Sequence, residues 1–238
     1  MTNDISVLFS GGPDSTLAAL YAMERAERVH LLTFHHRLMQ RTQRHRSVAE
    51  ELRETFGADR IVALEEDIDA LHRRCYFTRM GKRIVRYRTL YIPWVCGACK
   101  MAMHFRAIVY NRENGIRTTY DGANEEAEAY FPAQTKGYIE VMKGLYQSYG
   151  MQYDCPVYDI ARTDEKAEER GLLSLRDTKK EHVFFSTQHT CLVGLLIHAH
   201  ARLYYRPFRG KSRMERLASE LLAQMIDDCS CLLPEMTP

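Results

Sequence analysis

The sequence predicts an α/β fold with a doubly wound parallel sheet, and three observations predict it. Short apolar runs at 5–9, 28–35 and 60–64 have strand character, with helix-prone segments between them. A Ser-Gly-Gly-Pro-Asp-Ser turn, Ser10 to Ser15, joins the first strand to the first helix. The chain has 238 residues, 45% of them hydrophobic, which is enough to bury one good core. Strands that alternate with helices form parallel sheets whose ligands lie at the carboxyl ends of the strands.

The first element sets the chemistry. Ile5 to Phe9 reads as a strand, and Thr16 to Met23 holds good helix formers with apolar residues on one face. Gly11 and Gly12 between them tolerate positive φ and let backbone N–H groups close on an anion. Gly12 suits an N-cap, Pro13 the first helical position, and Asp14 and Ser15 the first turn. Such a nest of donors at the positive end of a helix is a phosphate or pyrophosphate site. No Gly-x-x-x-x-Gly-Lys-Ser/Thr sequence occurs, which leaves a P-loop NTPase without support.

This turn resembles the pyrophosphate loop (PP-loop) of the N-type ATP pyrophosphatase superfamily. The resemblance implies a Rossmann-like fold of the HUP type, ATP with Mg²⁺ as ligand, and phosphate contacts from Ser10, Gly11, Gly12, Asp14 and Ser15. It leaves a homodimer open.

The second strand, Arg28 to His35, is followed by a basic helix-prone segment from Gln40 to Phe56. In PP-loop proteins the end of this strand meets the adenine, which makes Phe34, His35 and His36 candidates for the base pocket or ordinary strand-end residues. A third strand follows at Arg60 to Leu64. From Ala70 to Arg112 the chain has no acid, while Arg73, Arg74, Arg79, Lys82, Arg83, Arg86, Arg88, Lys100, Arg106 and Arg112 alternate with aromatic residues. Such a face would grip an RNA backbone, or steer ATP or a small anion inward. The net charge of +2 does not by itself announce a nucleic-acid binder. No 18-residue apolar run and no basic-then-apolar leader occurs, so a soluble, cytoplasmic protein without a membrane partner is expected, its seven cysteines thiols or metal ligands.

Two of those cysteines, Cys96 and Cys99, open a predicted helix, where the helix terminus favours the thiolate. Alone, a Cys-x-x-Cys is ambiguous among zinc, redox and cluster roles. Its position resembles that in PP-loop enzymes that thiolate tRNA, where one further cysteine lies far downstream. Here that residue is Cys191. The resemblance implies a four-iron, four-sulfur cluster on Cys96, Cys99 and Cys191 with one open iron for sulfur. Zinc is the alternative, with a fourth ligand from His189, His198 or Cys155.

The segment Asp121-Gly122-Ala123-Asn124-Glu125-Glu126, with the aromatic-proline turn Phe131-Pro132 and the run Cys155 to Ile160, resembles the middle of 7-cyano-7-deazaguanine synthase. That likeness implies a purine- or deazapurine-like acceptor, with Asp121, Gly122 and Asn124 near the ligand. Asp121 or Glu126 would hold Mg²⁺ or be a plain loop charge. The four-cysteine zinc knuckle of that enzyme is missing, since Cys229-Ser230-Cys231 has the wrong spacing. Thr163 is placed as the N-cap of a short helix ending at Gly171, and a last helix is expected from Met214 to Ile226.

The expected organisation is a catalytic domain over 1–195 and a small helical C-terminal extension over 196–238. The expected reaction forms AMP and pyrophosphate. A carbonyl of a nucleobase-like acceptor, free or in tRNA, attacks the α-phosphate, and a sulfur donor then displaces AMP, with Asp14, Cys96, Cys99 and Cys191 as catalytic residues. A C–N bond-forming ligase and a catalytically silent nucleotide-binding module are the alternatives.

Overall fold

A computed structural model describes residues 3–39, 43–87, 93–128, 132–170 and 211–232. Its sheet has five strands, β1 (Ile5–Leu8), β2 (Val29–His35), β3 (Ile61–Asp67), β4 (Thr118–Asp121) and β5 (Gln152–Asp154), in the order β3-β2-β1-β4-β5. Every pairing is parallel. The helices are α1 (Pro13–Met23), α2 (Arg44–Phe56), α3 (Asp69–Phe77), α4 (Met80–Tyr87), α5 (Pro93–Asn114), α6 (Glu125–Glu128), α7 (Lys136–Ser148), α8 (Thr163–Glu169) and α9 (Lys211–Cys229). The expected doubly wound α/β fold is the observed one.

Strand alternation divides the core into two layers. Ile5 and Val7 of β1, with Val29 and Leu31 of β2, pack against the apolar residues of α1 and α2. Leu8, Leu32 and Phe34 point the other way, onto Met101, Phe105 and Ile108 of α5 and Met142 of α7. All of β1 and β2 is buried, as a strand covered by helices on both faces must be. After the buried Ile61, the edge strand β3 alternates half-buried and exposed positions instead, and runs on to Asp67 where the sequence suggests an end at Leu64. Glu65, Glu66 and Asp67 look like turn residues, but an edge strand tolerates charge on its open side, and they pair with Thr33, Phe34 and His35.

The C-terminal helix also exceeds its predicted span of 214–226. Leu222 and Met225 of α9 enter the same core layer as α5 and α7. Asp228 faces Arg79 at 3.2 Å and the buried Arg83 at 3.6 Å. A boundary at residue 195 falls outside the described residues.

Those ion pairs change the reading of the basic segment. Arg79 and Arg83 are taken up by Asp228, Arg106 by Glu66 at 2.8 Å, and Lys100 by Asp121 at 2.6 Å. Four of the ten basic residues between 70 and 112 therefore help hold this segment to the sheet and to α9, while Arg73, Arg74, Arg79, Lys82 and Arg86 remain exposed. Among the described residues no helix is long and apolar enough to cross a membrane.

Candidate nucleotide site

The winding reverses between β1 and β4, and in open α/β sheets ligands bind beyond the carboxyl ends of the strands at such a point. The register places that point. Leu8 is level with Leu32 on one side and with Asp121 on the other, so the Ser10 turn leaves the sheet beside the ends of β2 and β4. A cavity of about 300 Å³ opens there, lined by Ser10, Gly12, Asp14 and Ser15 from the turn, Phe34 from β2, and Asp121 and Gly122 from β4.

The turn has the predicted form. Gly12 is the N-cap of α1 with φ −80° and ψ 165°, and Pro13 takes the first helical position. No side chain caps this end, so its donors stay available to an anion. Gly11 has φ +74°, and a β-carbon there would come within 2.7 Å of the His45 backbone. The serines bind each other: Ser10 Oγ lies 3.1 Å from Ser15 Oγ and accepts the Gly12 N–H at 3.3 Å. The Ser15 hydroxyl also donates to the Gly12 carbonyl at 3.1 Å. Arg44 of α2 closes the turn from outside, its Nε donating to the Gly11 carbonyl at 2.9 Å.

Asp14 accepts a hydrogen bond from the Thr163 hydroxyl on α8. Burial raises the Asp14 carboxyl above its ordinary range, the Thr163 bond holds it back, and the negative charges of Glu126, Asp164 and Asp121 push it further up. That concentration of carboxylates fits Mg²⁺, whose charge relieves their repulsion and neutralises phosphate oxygens. The sequence placed Thr163 at the N-cap of α8, but Arg162, at φ 54°, holds that position and Thr163 is the first helical residue. Thr163→Val removes the bond that restrains Asp14. The acid limb of the pH profile for ATP binding should therefore move to higher pH, measured by titration calorimetry. An unshifted limb would mean that Asp14 does not face the nucleotide.

On the opposite wall, Lys100 and Met103 of α5 and Gln134 also line the cavity. Asp121 accepts from Lys100 Nζ at 2.6 Å and from the Tyr153 hydroxyl at 2.9 Å. Burial works against the Lys100 ammonium, yet Asp121 outweighs it and leaves the pKa raised. Asp121 moves the other way: burial pushes it up, but the Lys100 charge and the hydrogen bonds from Lys100 and Tyr153 pull it below the ordinary carboxylate range. Burial and the Lys100 charge drive His104 down to about 3, so its ring is neutral. The result is a fixed cation at the cavity wall. Lys100 was visible in sequence only as one of ten basic residues; its spacing of one from Cys99 on α5 was the available signal.

Other predicted residues are placed differently. Phe34 lines the cavity, whereas His35 turns to the β3 side, 3.9 Å from Glu65 and 3.7 Å from Asp67. Neighbours on a strand face opposite ways, so both could not meet one base. The side chain of Asn124 is spent on structure: it donates to the Ile160 carbonyl at 3.0 Å and accepts the Glu126 N–H at 2.8 Å. Cys96 and Cys99 sit in the first two turns of α5, as expected. Cys99 is half-buried, its Sγ 3.2 Å from His36 Nε2. Cys155 instead donates to the Tyr153 hydroxyl at 3.4 Å, and burial with the Asp121 charge pushes its thiol up to about 12. The Cys96 side chain and Cys191, His189, His198 and Phe131 lie outside the described residues.

One solved structure supports the fold, and two others are more distant. A 4-thiouridine synthetase, solved as an RNA complex with bound ATP, aligns with 98% of this chain and 53% of its own at 20% identity and a TM-score of 0.56. The chain thus spans about half the length of that relative. A U34-tRNA thiolase NcsA from Methanococcus maripaludis, solved with its [4Fe-4S] cluster, covers 92% of this chain and 71% of its own at 14% identity and a TM-score of 0.46. A predicted subunit of tRNA methyltransferase from Methanocaldococcus jannaschii covers 71% of this chain and 76% of its own at 17% identity, also with a TM-score of 0.46. Curated protein sequences contain no match. The sequence model of one family, described as Queuosine biosynthesis protein QueC, matches residues 4–194. Those residues include β1 to β5 and every described wall of the cavity, so the chain belongs to the Queuosine biosynthesis protein QueC family, within the PP-loop ATP pyrophosphatase superfamily.

Proposed function

We propose that the protein is an adenylating enzyme that activates a carbonyl oxygen of a nucleobase-like acceptor with ATP, releasing pyrophosphate. The observation that carries this reading is one cavity shared by the uncapped donors of Ser10 to Ser15 and the fixed Lys100 cation. The turn holds the phosphates, and its N–H groups and the Ser15 hydroxyl offset charge on the departing pyrophosphate. Lys100 supports the negative charge at the α-phosphate. The acceptor oxygen bonds to the α-phosphorus as the bond to pyrophosphate breaks. A nucleophile then attacks the activated carbon and loses its proton, and AMP leaves with the original oxygen.

Two nucleophiles fit that second step, each with its own support. Family membership favours ammonia and a C–N bond. The Cys96 and Cys99 pair beside Lys100 favours sulfide and a thiocarbonyl. In this sulfur route sulfide itself attacks, whichever ion or cluster Cys99 binds, since the Cys96 side chain and Cys191, the other cysteines of the expected cluster, lie outside the described residues.

The test supplies ATP, Mg²⁺ and a panel of purine- and deazapurine-type bases bearing a carbonyl or carboxyl group, with ammonium or sulfide. The expected result is AMP and pyrophosphate in equal amounts with the correct acceptor, and a product whose mass identifies the nucleophile. Ser15→Ala should slow AMP formation about 100-fold, the usual effect of losing one donor to a developing anion. ATP binding without AMP formation on any acceptor would support the silent module and overturn the adenylation reading.

A further inference from the structure

The basic residues of α4 gather on one side of the helix. Arg79 just before it, then Lys82, Arg83 and Arg86, follow the spacing that brings side chains to a single helix face. That face looks toward α9, and a cavity of about 210 Å³ lies between the two helices, lined by these four cations with Gln224 and Asp228. Among the described residues it shares no lining side chain with the nucleotide cavity. Like charges three and four positions apart repel each other, and here they converge on one volume instead of spreading into solvent. The floor of the cavity is firmly built. Arg83 is 1% exposed, and its Nη2 donates to the carbonyls of Cys75 at 3.3 Å and Tyr76 at 3.4 Å and to that of Thr78, at the negative end of α3. Asp228 is held by Arg79 Nη1 at 3.2 Å, Gln224 Nε2 at 3.3 Å and Arg83 Nε at 3.6 Å, so its charge is spent within the floor.

We propose that this cavity is a second anion site, which takes a phosphate group carried by an RNA strand or by a free phosphate or pyrophosphate. Four cations face one carboxylate that is already engaged, and a phosphate group supplies both the missing negative charge and several acceptor oxygens. Arginine forks match pairs of phosphate oxygens, and Lys82 adds a compact point charge at the exposed rim. A guanidinium has five N–H donors, so the bond from Arg79 to Asp228 leaves this side chain, 56% exposed, able to meet a ligand as well. Gln224 Oε1 accepts from Arg86 Nη1 at 3.3 Å and so steadies that guanidinium at the cavity. The surface next to the cavity also fits a strand. The end of α3 exposes Arg73, Arg74 and Phe77, and the Phe77 ring, 57% exposed, offers a face on which a base stacks.

The test uses the full chain with Mg²⁺ and a non-hydrolysable ATP analogue present to fill the nucleotide cavity, and without acceptor, so its outcome is independent of the adenylation reading. Wild-type protein is compared with Lys82→Gln combined with Arg86→Gln, two exposed side chains whose loss leaves the Arg83 and Asp228 floor in place. In the first arm, calorimetry with pyrophosphate should show uptake by the wild type and binding at least about tenfold weaker in the double variant. In the second, the anisotropy of a fluorescent oligouridine is followed as salt is raised. Losing two phosphate contacts should lower the slope of log K against log salt by about 1.4, at about 0.7 per contact on a single strand. Phe77→Ala should weaken the RNA at least about fivefold and leave pyrophosphate unaffected. A change in the pyrophosphate arm alone identifies a free anion as the occupant, and a lowered RNA slope identifies a strand. Equal binding by wild type and double variant in both arms overturns the site. So does a wild-type chain that binds neither probe, whatever the variants do.

Discussion

Lys100→Met should destabilise the protein by about 3 kcal/mol, read as a lower urea midpoint, because it leaves Asp121 buried without its cation. The Asp121 side chain is only 8% exposed, and the Tyr153 hydroxyl alone cannot replace an ammonium at 2.6 Å. The figure is the lower end for a buried pair, since Lys100 keeps 23% of its side chain in contact with solvent. Lys100→Met combined with Asp121→Asn should recover part of the stability but none of the ATP turnover, which separates folding from function. The pH dependence has a definite sign. Asp121 lies below 3.8 in the folded chain, so the stability it contributes is present above pH 3.8 and is lost as the pH falls past its folded value. Lys100 is raised above 10.5, so its contribution is complete below pH 10.5 and is lost at still higher pH. In the single variant, His104 should also rise from about 3, since one of the causes holding it there is gone. NMR titration reads that change directly. An unaltered urea midpoint would show that the pair is not the buried contact described here.

Gly122→Ala should weaken nucleotide binding severely while leaving the chain folded. A β-carbon at Gly122 would lie 2.6 Å from the Ser15 nitrogen and 2.8 Å from the Asp14 carbonyl carbon. Those are backbone atoms in the first turn of α1, and they can yield only by moving the phosphate-binding turn. Overpacking of this kind costs about 1–3 kcal/mol in stability. The loss in ATP affinity should be larger, about 100-fold or more, because several donors move together. Gly144→Ala is the control. Gly144 lies inside α7 with no atom within 4 Å of its would-be β-carbon, so the same substitution should stabilise by about 0.5–1 kcal/mol and leave ATP binding intact. Calorimetry on the two variants checks the contrast, and equal ATP affinity in both would sink the argument for Gly122.

The legible parts of the site were those encoded in consecutive residues. The Ser10 to Ser15 turn could be read as an anion site because strand, glycines, proline and helix follow one another in the chain, and each favours the same local conformation. The helix that begins before Cys96 and runs through Asn114 was legible for the same reason. Which of Phe34 and His35 lines the cavity could not be read locally, because both carry the same strand-end signal and only pairing to β3 decides which face turns to it. The structural bonds of Asn124 were not legible, because an asparagine after a strand looks alike whether it meets a ligand or caps the next turn.

The sequence by itself determined the class of fold, the anion-binding turn and the helix that carries the two cysteines. Local propensity and hydrophobic period act over a few residues, and nothing distant could reverse them there. Tertiary structure alone decided the partnership of Lys100 with Asp121, of Thr163 with Asp14, and of His36 with His72 and Cys99. Those groups are separated by up to 149 positions, as in Thr163 and Asp14. Their meeting depends on strand order and register, which place the ends of β1, β2 and β4 side by side and which no local pattern in the chain encodes.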